Sequence, residues 1–419
     1  MIELIVIADD FTGALDTSVQ FAKRGISTGV VCRRTFEPDK CADGVRVVCI
    51  DAETRHLKPD EAYETVFAIA KAAFNSGIRM IYKKVDSTLR GQIGSEIAGA
   101  LDAAKGENLA FAPAFPATGR TTVDGRQLLN GRPIHESVFA MDPFEPIIRS
   151  DIAGIIKSQR SIDTQNVPIN QSPVKMTGGV EIYDAATDDD LDRLAGTIVR
   201  RGYRLAAGSA GLAWALGGKM APDHTVRPVL EKKSGFLAVC GSLNPISARQ
   251  IKTAEQNGFI KLEFPEWLIE GRARENPGEY EALLNEVSML IGSGKRVILT
   301  VAGCGCEACA VGDMVAAREL VARSIGEFVK EWYLRESDCA LVIVGGDTLH
   351  AFVKCLGIDA ELRPAFELEP GVVLSIIQVN AGTIQIVSKA GGFGGDDVYM
   401  RIAKAVMTEK TVVKEGVHS

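Results

Sequence analysis

MIELIVIADDFTGALD, residues 1–16, holds the five-residue apolar run Leu4–Ala8, followed at once by Asp9 and Asp10. An uninterrupted apolar run of that length, with no polar alternation, reads as a strand buried on both faces. Asp9-Asp10-Phe11-Thr12-Gly13 then turns the chain into a helix ending near Gly25. Strand, turn and helix in that order are the repeating unit of a parallel sheet covered by helices. The same order recurs downstream. Pro59–Gly77 places Ala62, Val66, Ile69, Ala70 and Ala73 on one helical face, with Asp60 as expected cap and Gly77 as stop. Met80–Val85 is expected as the next strand, Leu89–Ala104 as the next helix, and Leu109–Ala112 as a further strand.

From Gly119 to about Pro146 the rhythm changes. Asp124-Gly125 and Asn130-Gly131 are hairpin-turn dipeptides flanking a short strand, so this segment is expected to be a β excursion. Val180–Tyr183 and a helix at Asp188–Arg201 resume the alternation. APDHTVRPVLEKKSG, residues 221–235, has two prolines, mixed charge and no period, and it puts a domain boundary near residue 230. Beyond it, strands are expected at Phe236–Cys240, Arg296–Val301, Ala340–Val344 and Ile384–Ser388, with a long helix from Asp313 to Arg335. The reading is α/β: two domains, 1–229 and 230–419, each a mainly parallel sheet flanked by helices, with an active-site cleft between them. No fixed-period repeat or low-complexity tract intervenes.

Composition narrows the function. The 419 residues correspond, at roughly 150 residues per domain, to two or three domains. With 54 acidic against 47 basic side chains the formal charge is −7, which supplies no basic stripe for nucleic acid. The opening carries no basic leader or small-residue cleavage site and is expected to be a strand rather than a signal peptide. No apolar stretch reaches membrane-spanning length. Nine scattered cysteines, an odd number, suit a reduced, cytoplasmic protein. Small molecules are therefore the expected partners, with no nucleic acid and no membrane.

Ligands of open parallel sheets bind beyond the carboxyl ends of the strands. Asp9 and Asp10 end one strand, and Lys83, Lys84, Val85 and Asp86 end another. Burying so much charge is costly unless the groups pair or face a ligand. Arg55, after the strand at Val45–Ile50, is placed to clamp a carboxylate or to pair with Glu53. In the second half, three strand ends carry small residues: Gly241-Ser242-Leu243-Asn244-Pro245, Gly345-Gly346-Asp347-Thr348, and the run from Lys389 through Gly391 to Asp397. The first two open into helices, where free N–H groups and the helix dipole suit phosphates. Gly292-Ser293-Gly294-Lys295 resembles a P-loop but precedes a strand instead of following one. The GGFGG at 391–395 is followed by too little chain for a dinucleotide fold. Cys304, Cys306 and Cys309 have close metal-ligand spacing without an evident fourth ligand, and read as small apolar residues in a glycine-rich loop.

With these residues assembled, the chain resembles the four-carbon acid sugar kinase family over nearly its whole length. The strings that carry the resemblance are IADDFTGALD, DAETR, YKKVDSTLRG, PAFPATGRTTVDGR, VCGSLNP, VGGDT and SKAGGFG. The resemblance implies an amino-terminal sugar-acid domain, a carboxy-terminal ATP domain, and transfer of the γ-phosphoryl group to a terminal hydroxyl. It implies substrate contacts at Asp9, Asp10, Arg55 and the run Lys83, Lys84, Val85 and Asp86, and ATP contacts at Ser242, Gly345, Gly346, Asp347, Thr348 and Gly391. VAGCGCEAC, residues 301–309, departs from the family pattern. ESVFAMDPFEPIIRSDI, with its Asp-Pro pair, looks more like the D-threonate type than the 3-oxo-tetronate type.

The expected reaction is ATP- and Mg²⁺-dependent 4-phosphorylation of a four-carbon acid, D-threonate first, with D-erythronate or a 3-oxo-tetronate as alternatives. Lys84 would neutralise charge, and Asp347, Asp86 or Asp9 would act as base. An aldolase using Lys83 or Lys84, a dehydrogenase and a non-catalytic sensor are the rival classes. An isologous homodimer is the default assembly.

Overall fold

The apolar run at the amino terminus forms β1 (Leu4–Ala8), buried along its whole length. The computed structural model describes all residues except 1, 42, 142–145, 175, 224–229, 302–313, 337, 358–359, 380–381 and 409–419. After β1 come α1 (Phe11–Lys23), β2 (Thr28–Cys32), β3 (Val47–Asp51), α2 (Pro59–Asn75), β4 (Met80–Lys84), α3 (Ile93–Ala104) and β5 (Leu109–Ala112). The excursion follows as β6 (Arg120–Val123), β7 (Arg126–Leu129) and β8 (Arg132–Pro133). Then α4 (Ile152–Gln159), β9 (Thr164–Val167), β10 (Val180–Tyr183), α5 (Asp188–Arg201), β11 (Leu205–Gly208) and α6 (Ala210–Gly217) complete the amino-terminal half. The rest runs β12 (Gly235–Cys240), α7 (Pro245–Gln256), β13 (Phe259–Glu263), α8 (Glu266–Ile269), α9 (Pro277–Gly292), β14 (Arg296–Thr300), α10 (Met314–Arg335), β15 (Cys339–Val344) and α11 (Gly346–Leu356). It closes with β16 (Glu361–Glu369), β17 (Val372–Val379), β18 (Gly382–Lys389) and α12 (Val398–Val406). No helix among the described residues is long and apolar enough to cross a membrane.

The chain divides into two compact units: Met1–Val226 with Ile358–Phe366, and Arg227–Gly357 with Glu367–Ser419. In the first unit the strand order is β16-β2-β3-β1-β4-β11-β5-β10-β9. All its neighbours are parallel except β16, which meets β2 antiparallel. Ile5, Ile7, Val48, Ile50 and Ile81 lie in its core with Val66 and Ile69 of α2 and Ile97 of α3. The second unit orders its strands β13-β14-β12-β15-β18-β17, parallel up to β18 and antiparallel at the β17–β18 hairpin. Trp332 and Phe328 of α10 and Phe236 of β12 are fully buried in its core. The α/β fold with mainly parallel sheets is therefore established.

Local differences have local causes. α2 is capped by Lys58, not by the expected Asp60. Pro59 takes the first helical position, and Asp60 and Glu61 sit in the first turn, where the dipole favours them. The helix expected from Leu89 begins at Ile93, because Leu89 is left-handed at φ 69° and Gly91 follows at φ 92°. The excursion is a separate three-stranded antiparallel sheet. Both its turn dipeptides, Asp124-Gly125 and Asn130-Gly131, have positive φ at both positions. The carboxy-terminal half is less parallel than expected, since β16 and β17 both pair antiparallel. Cys304, Cys306, Cys309 and the Asp142-Pro143 pair lie outside the described residues.

Candidate active-site residues

In the first unit, register gathers the charges. Ala8 of β1 aligns with Asp51 of β3 and with Lys84 of β4, so three chains leave the sheet at one level. The backbone N–H groups of Thr54 and Arg55 donate to Asp9 O at 3.0 and 3.2 Å, which brings the Arg55 side chain back over β1. Its Nε donates to Asp9 Oδ2 at 2.7 Å, and its Nη1 lies 2.6 Å from Asp10 Oδ2. Gly91 makes room: a Cβ there would stand 3.3 Å from Arg55 Cγ. Asp10 also caps α1 by accepting from Gly13 N at 2.7 Å.

Alternation along β4 separates the two lysines. Lys83, 0% exposed, lies 3.2 Å from Glu96 Oε2 of α3, and Thr54 Oγ1 donates to the same carboxylate. Lys84, 5% exposed, points to the start of α1, where a Cβ on Gly13 would stand 2.9 Å from its Nζ. That ammonium donates to Val85 O at 2.7 Å and makes no carboxylate contact among the described residues. Asp86 accepts from Arg90 Nε at 2.7 Å and from Thr88 Oγ1.

The electrostatics follow from this packing. Burial would raise the Asp9 carboxyl, but Arg55, Lys83 and Lys84 outweigh it and hold Asp9 below the usual range. Asp10 is pushed up by burial and by its neighbour Asp9, against the pull of Arg55 and Lys84. Asp86 stays well below the usual range, because Arg55 and Arg90 overcome its burial. Glu96 is raised, chiefly by burial. Asp9 is 2% exposed, and its Oδ1 is buried without a hydrogen-bond partner. An orphaned buried acceptor in a charged cluster marks a place where a ligand donor fits.

In the second unit, β12, β15 and β18 are consecutive neighbours, with Cys240 opposite Val344 and Val344 opposite Lys389. Their carboxyl-end turns therefore lie side by side. Gly345 N donates to Lys389 O at 3.0 Å, and Gly241 N to Val344 O at 3.1 Å. Gly345 adopts φ 110°, which only glycine takes readily, and a Cβ there would stand 3.7 Å from Ser242 N. A Cβ on Gly391 would collide with Ser242 Oγ, and one on Gly241 with Thr348 Oγ1. Asn244 caps α7, accepting from Ile246 N at 2.9 Å, while Ser242 Oγ accepts from Asn244 N and Ser247 Oγ at 3.3 Å each. Ser242, Gly345, Thr348 and Gly391 thus form one cluster, and the free amides of Gly346, Asp347 and Thr348 open α11. Asp347 differs: it is 63% exposed and paired with Arg318 at 2.6 Å.

Four residues beyond the expected set belong to these clusters. Glu96 holds Lys83 from within a helix. Gln250 Nε2 donates to Phe393 O and Gly394 O at 2.9 Å each and to Gly395 O at 3.2 Å, fixing the glycine loop. Lys389, 2% exposed, donates to Ala390 O and Gly391 O at 3.0 and 3.2 Å, and burial lowers its pKa to about 8. Its place at the end of β18, before a glycine run, was a usable signal. Arg120 begins β6, and burial holds its guanidinium below the usual range.

The chain is similar to known proteins along most of its length. Residues 4–216 match a sugar-binding N-terminal domain and residues 237–399 a nucleotide-binding C-terminal domain. A D-threonate kinase of Salmonella typhimurium is 30% identical over 422 residues, covering 94% of this chain and 96% of that one. A D-erythronate kinase of Heliobacterium modesticaldum is 30% identical over 270 residues, covering 61% of each chain. A crystal structure of a Haemophilus influenzae protein of the family once called DUF1537 superposes with TM-score 0.74 at 19% identity, covering 96% of this chain and 100% of that one. The named relatives define an enzyme of the kinase class. The chain belongs to the four-carbon acid sugar kinase family.

Proposed function

We propose that this kinase transfers the γ-phosphoryl group of ATP to the 4-hydroxyl of a four-carbon sugar acid, with D-threonate as its substrate. The observation that carries the reading is the orphaned Asp9 Oδ1, a buried anionic acceptor held among Arg55, Lys83 and Lys84. A sugar acid supplies hydroxyl donors for such an acceptor, and its negative charge suits a cluster rich in cations. D-threonate is favoured because the relative of that name is similar along almost the full length of both chains.

Phosphoryl transfer depends on positioning and charge neutralisation more than on covalent chemistry. Asp9 receives the hydroxyl proton, its free oxygen being the acceptor that nothing else occupies. Arg55, with two nitrogens on Asp9 and Asp10, fixes both carboxylates, and Asp10 takes a second hydroxyl. Lys84 offers positive charge to the transferred group. Lys83, enclosed with Glu96, holds β4 against α3, while Val85 contributes its carbonyl to Lys84 and Asp86 orients Arg90. Ser242, Gly345, Gly346, Thr348 and Gly391 hold the phosphates through hydroxyls and backbone N–H groups.

Mg²⁺ keeps several waters and takes one or two carboxylates besides substrate phosphates, and the exposed Asp347 carboxylate in the first turn of α11 fits that donor set. When bound, the ion neutralises phosphate charge. Asp347, on the exposed start of α11, would hold it on releasing Arg318.

The test is ADP release with ATP and Mg²⁺ against D- and L-threonate, D- and L-erythronate and the 3-oxo-tetronates. Fastest turnover with D-threonate is expected. A higher kcat/KM on another acid would replace the substrate. ATP and acid binding without ADP release would overturn the kinase assignment in favour of a sensor.

A further inference from the structure

Among the several orphaned buried groups of the first unit, one within electrostatic reach of Asp86 is opposite in character to Asp9 Oδ1. Arg120 Nε is buried without a hydrogen-bond partner, and its Nη1 reaches only the backbone, donating to Thr118 O at 3.1 Å. No carboxylate pairs with this guanidinium among the described residues. A guanidinium partly withdrawn from water and without a paired anion is costly, and a ligand anion offsets that cost.

The excursion sheet sets its position. The Gln127 amide of β7 donates to Ser87 O at 2.8 Å and to Pro113 O at 3.3 Å, which pins this sheet to the segment after β4. A backbone pair between Thr122 and Ala185 holds its other side, at 2.9 and 3.0 Å. Arg120 is thereby kept within electrostatic reach of Asp86 and Arg90. The Arg120 and Arg90 guanidinium carbons stand 5.9 and 5.8 Å from the centre of the Phe139 ring. The two cations differ in what they already hold, since Arg90 is paired directly with Asp86 while Arg120 feels Asp86 and Asp16 only at a distance.

We infer that Arg120 is the receptor for the substrate's carboxylate and selects acids over neutral polyols, while Asp9 receives a hydroxyl of the same molecule. The inference rests on the sugar-acid reading above. It gives the β excursion a role in recognition: this sheet delivers a cation to a site otherwise built on strand ends. Arg55 cannot serve equally, because two of its nitrogens are committed to Asp9 and Asp10.

D-threonate and its neutral amide, D-threonamide, separate the charge from the rest of the molecule. In the native enzyme the acid is expected to exceed the amide in kcat/KM by about 100-fold, and Arg120→Gln should cut that ratio to within about 3-fold. The loss should appear as a KM for D-threonate raised roughly 30-fold, with KM for ATP unchanged. Arg120→Lys, which keeps the charge, should recover part of the discrimination and serves if the glutamine variant does not fold. An unchanged acid-to-amide ratio in a folded variant would overturn the inference and leave the kinase reading intact. Calorimetric titration of D-threonate covers the case of no turnover. Binding lost in the variant would support Arg120 while the proposed reaction fell, and no binding to the native protein would overturn both.

Discussion

The two candidate sites are built from opposite materials. At the ends of β1 and β4 the first unit uses charged side chains, most of them buried and tied to one another: Arg55 to Asp9 and Asp10, Lys83 to Glu96, Arg90 to Asp86. At the ends of β12, β15 and β18 the second uses backbone amides, two hydroxyls and glycines that a methyl group would disturb. A small acid with several hydroxyls needs donors and acceptors at fixed points, which paired side chains supply. Phosphates need many modest donors at close range, which helix starts and glycine turns supply.

The contrast breaks most visibly at Asp9. Asp9→Asn retains the volume but loses the anionic acceptor, so kcat should fall on the order of 10²- to 10⁴-fold. Asp347→Asn, at an exposed residue, should instead shift the Mg²⁺ dependence with a much smaller loss of kcat at saturating Mg²⁺. A near-native kcat for Asp9→Asn, measured by ADP release, would remove Asp9 as the proton acceptor.

Lys83 tests whether a residue of the same charged cluster can be structural. Lys83→Met leaves Glu96 buried without its partner, which should cost about 3 kcal/mol or more of stability. Lys83→Met combined with Glu96→Leu should recover much of that loss, since an apolar pair of similar volume tolerates burial. Urea midpoints of the two variants decide it. If the double variant is no more stable than the single one, packing rather than charge governs the position.

On the nucleotide side the sharpest probe is Gly391→Ala. Its Cβ would meet Ser242 Oγ and move that hydroxyl, so KM for ATP should rise about 10-fold while KM for the sugar acid stays within 2-fold. A comparable rise for both substrates would dissolve the division of labour between the two clusters.

What the sequence reveals follows the range of the interactions involved. The apolar runs of β1, β4 and β12 and the dipeptides Asp124-Gly125 and Asn130-Gly131 are local signals and could be read directly. β16 could not: ELRPAFELE carries charges and a proline, which argue against a strand, and its partner β2 lies far upstream. Asp9, Arg55 and the glycine turns were legible because charges and glycines after apolar runs are conspicuous. Glu96 and Arg120 were not, since one lies in the first turn of α3, where an acid is ordinary, and the other opens a hairpin, and neither position is singled out until the chain has folded. Lys83 and Lys84 were treated alike, although the two-residue period of a strand already puts them on opposite faces.

Lys389 gives the smallest expected effect. Its ammonium lies under the glycine turns, bonded to the carbonyls of Ala390 and Gly391, and burial lowers its pKa from 10.5 to about 8. Between about pH 8 and 10.5 the unfolded chain binds this proton and the folded one does not, so folding stability should rise with pH across that window. Below pH 8 both states are charged and the fold carries the full cost of burying the ammonium. Lys389→Met should flatten the rise, while native ATP affinity should weaken as pH climbs through 8 and the loop loses its cation. Chemical denaturation and ATP titration at pH 7, 8 and 9 measure both. A native stability profile matching that of Lys389→Met would mean that Lys389 keeps its charge throughout, held by the two carbonyls.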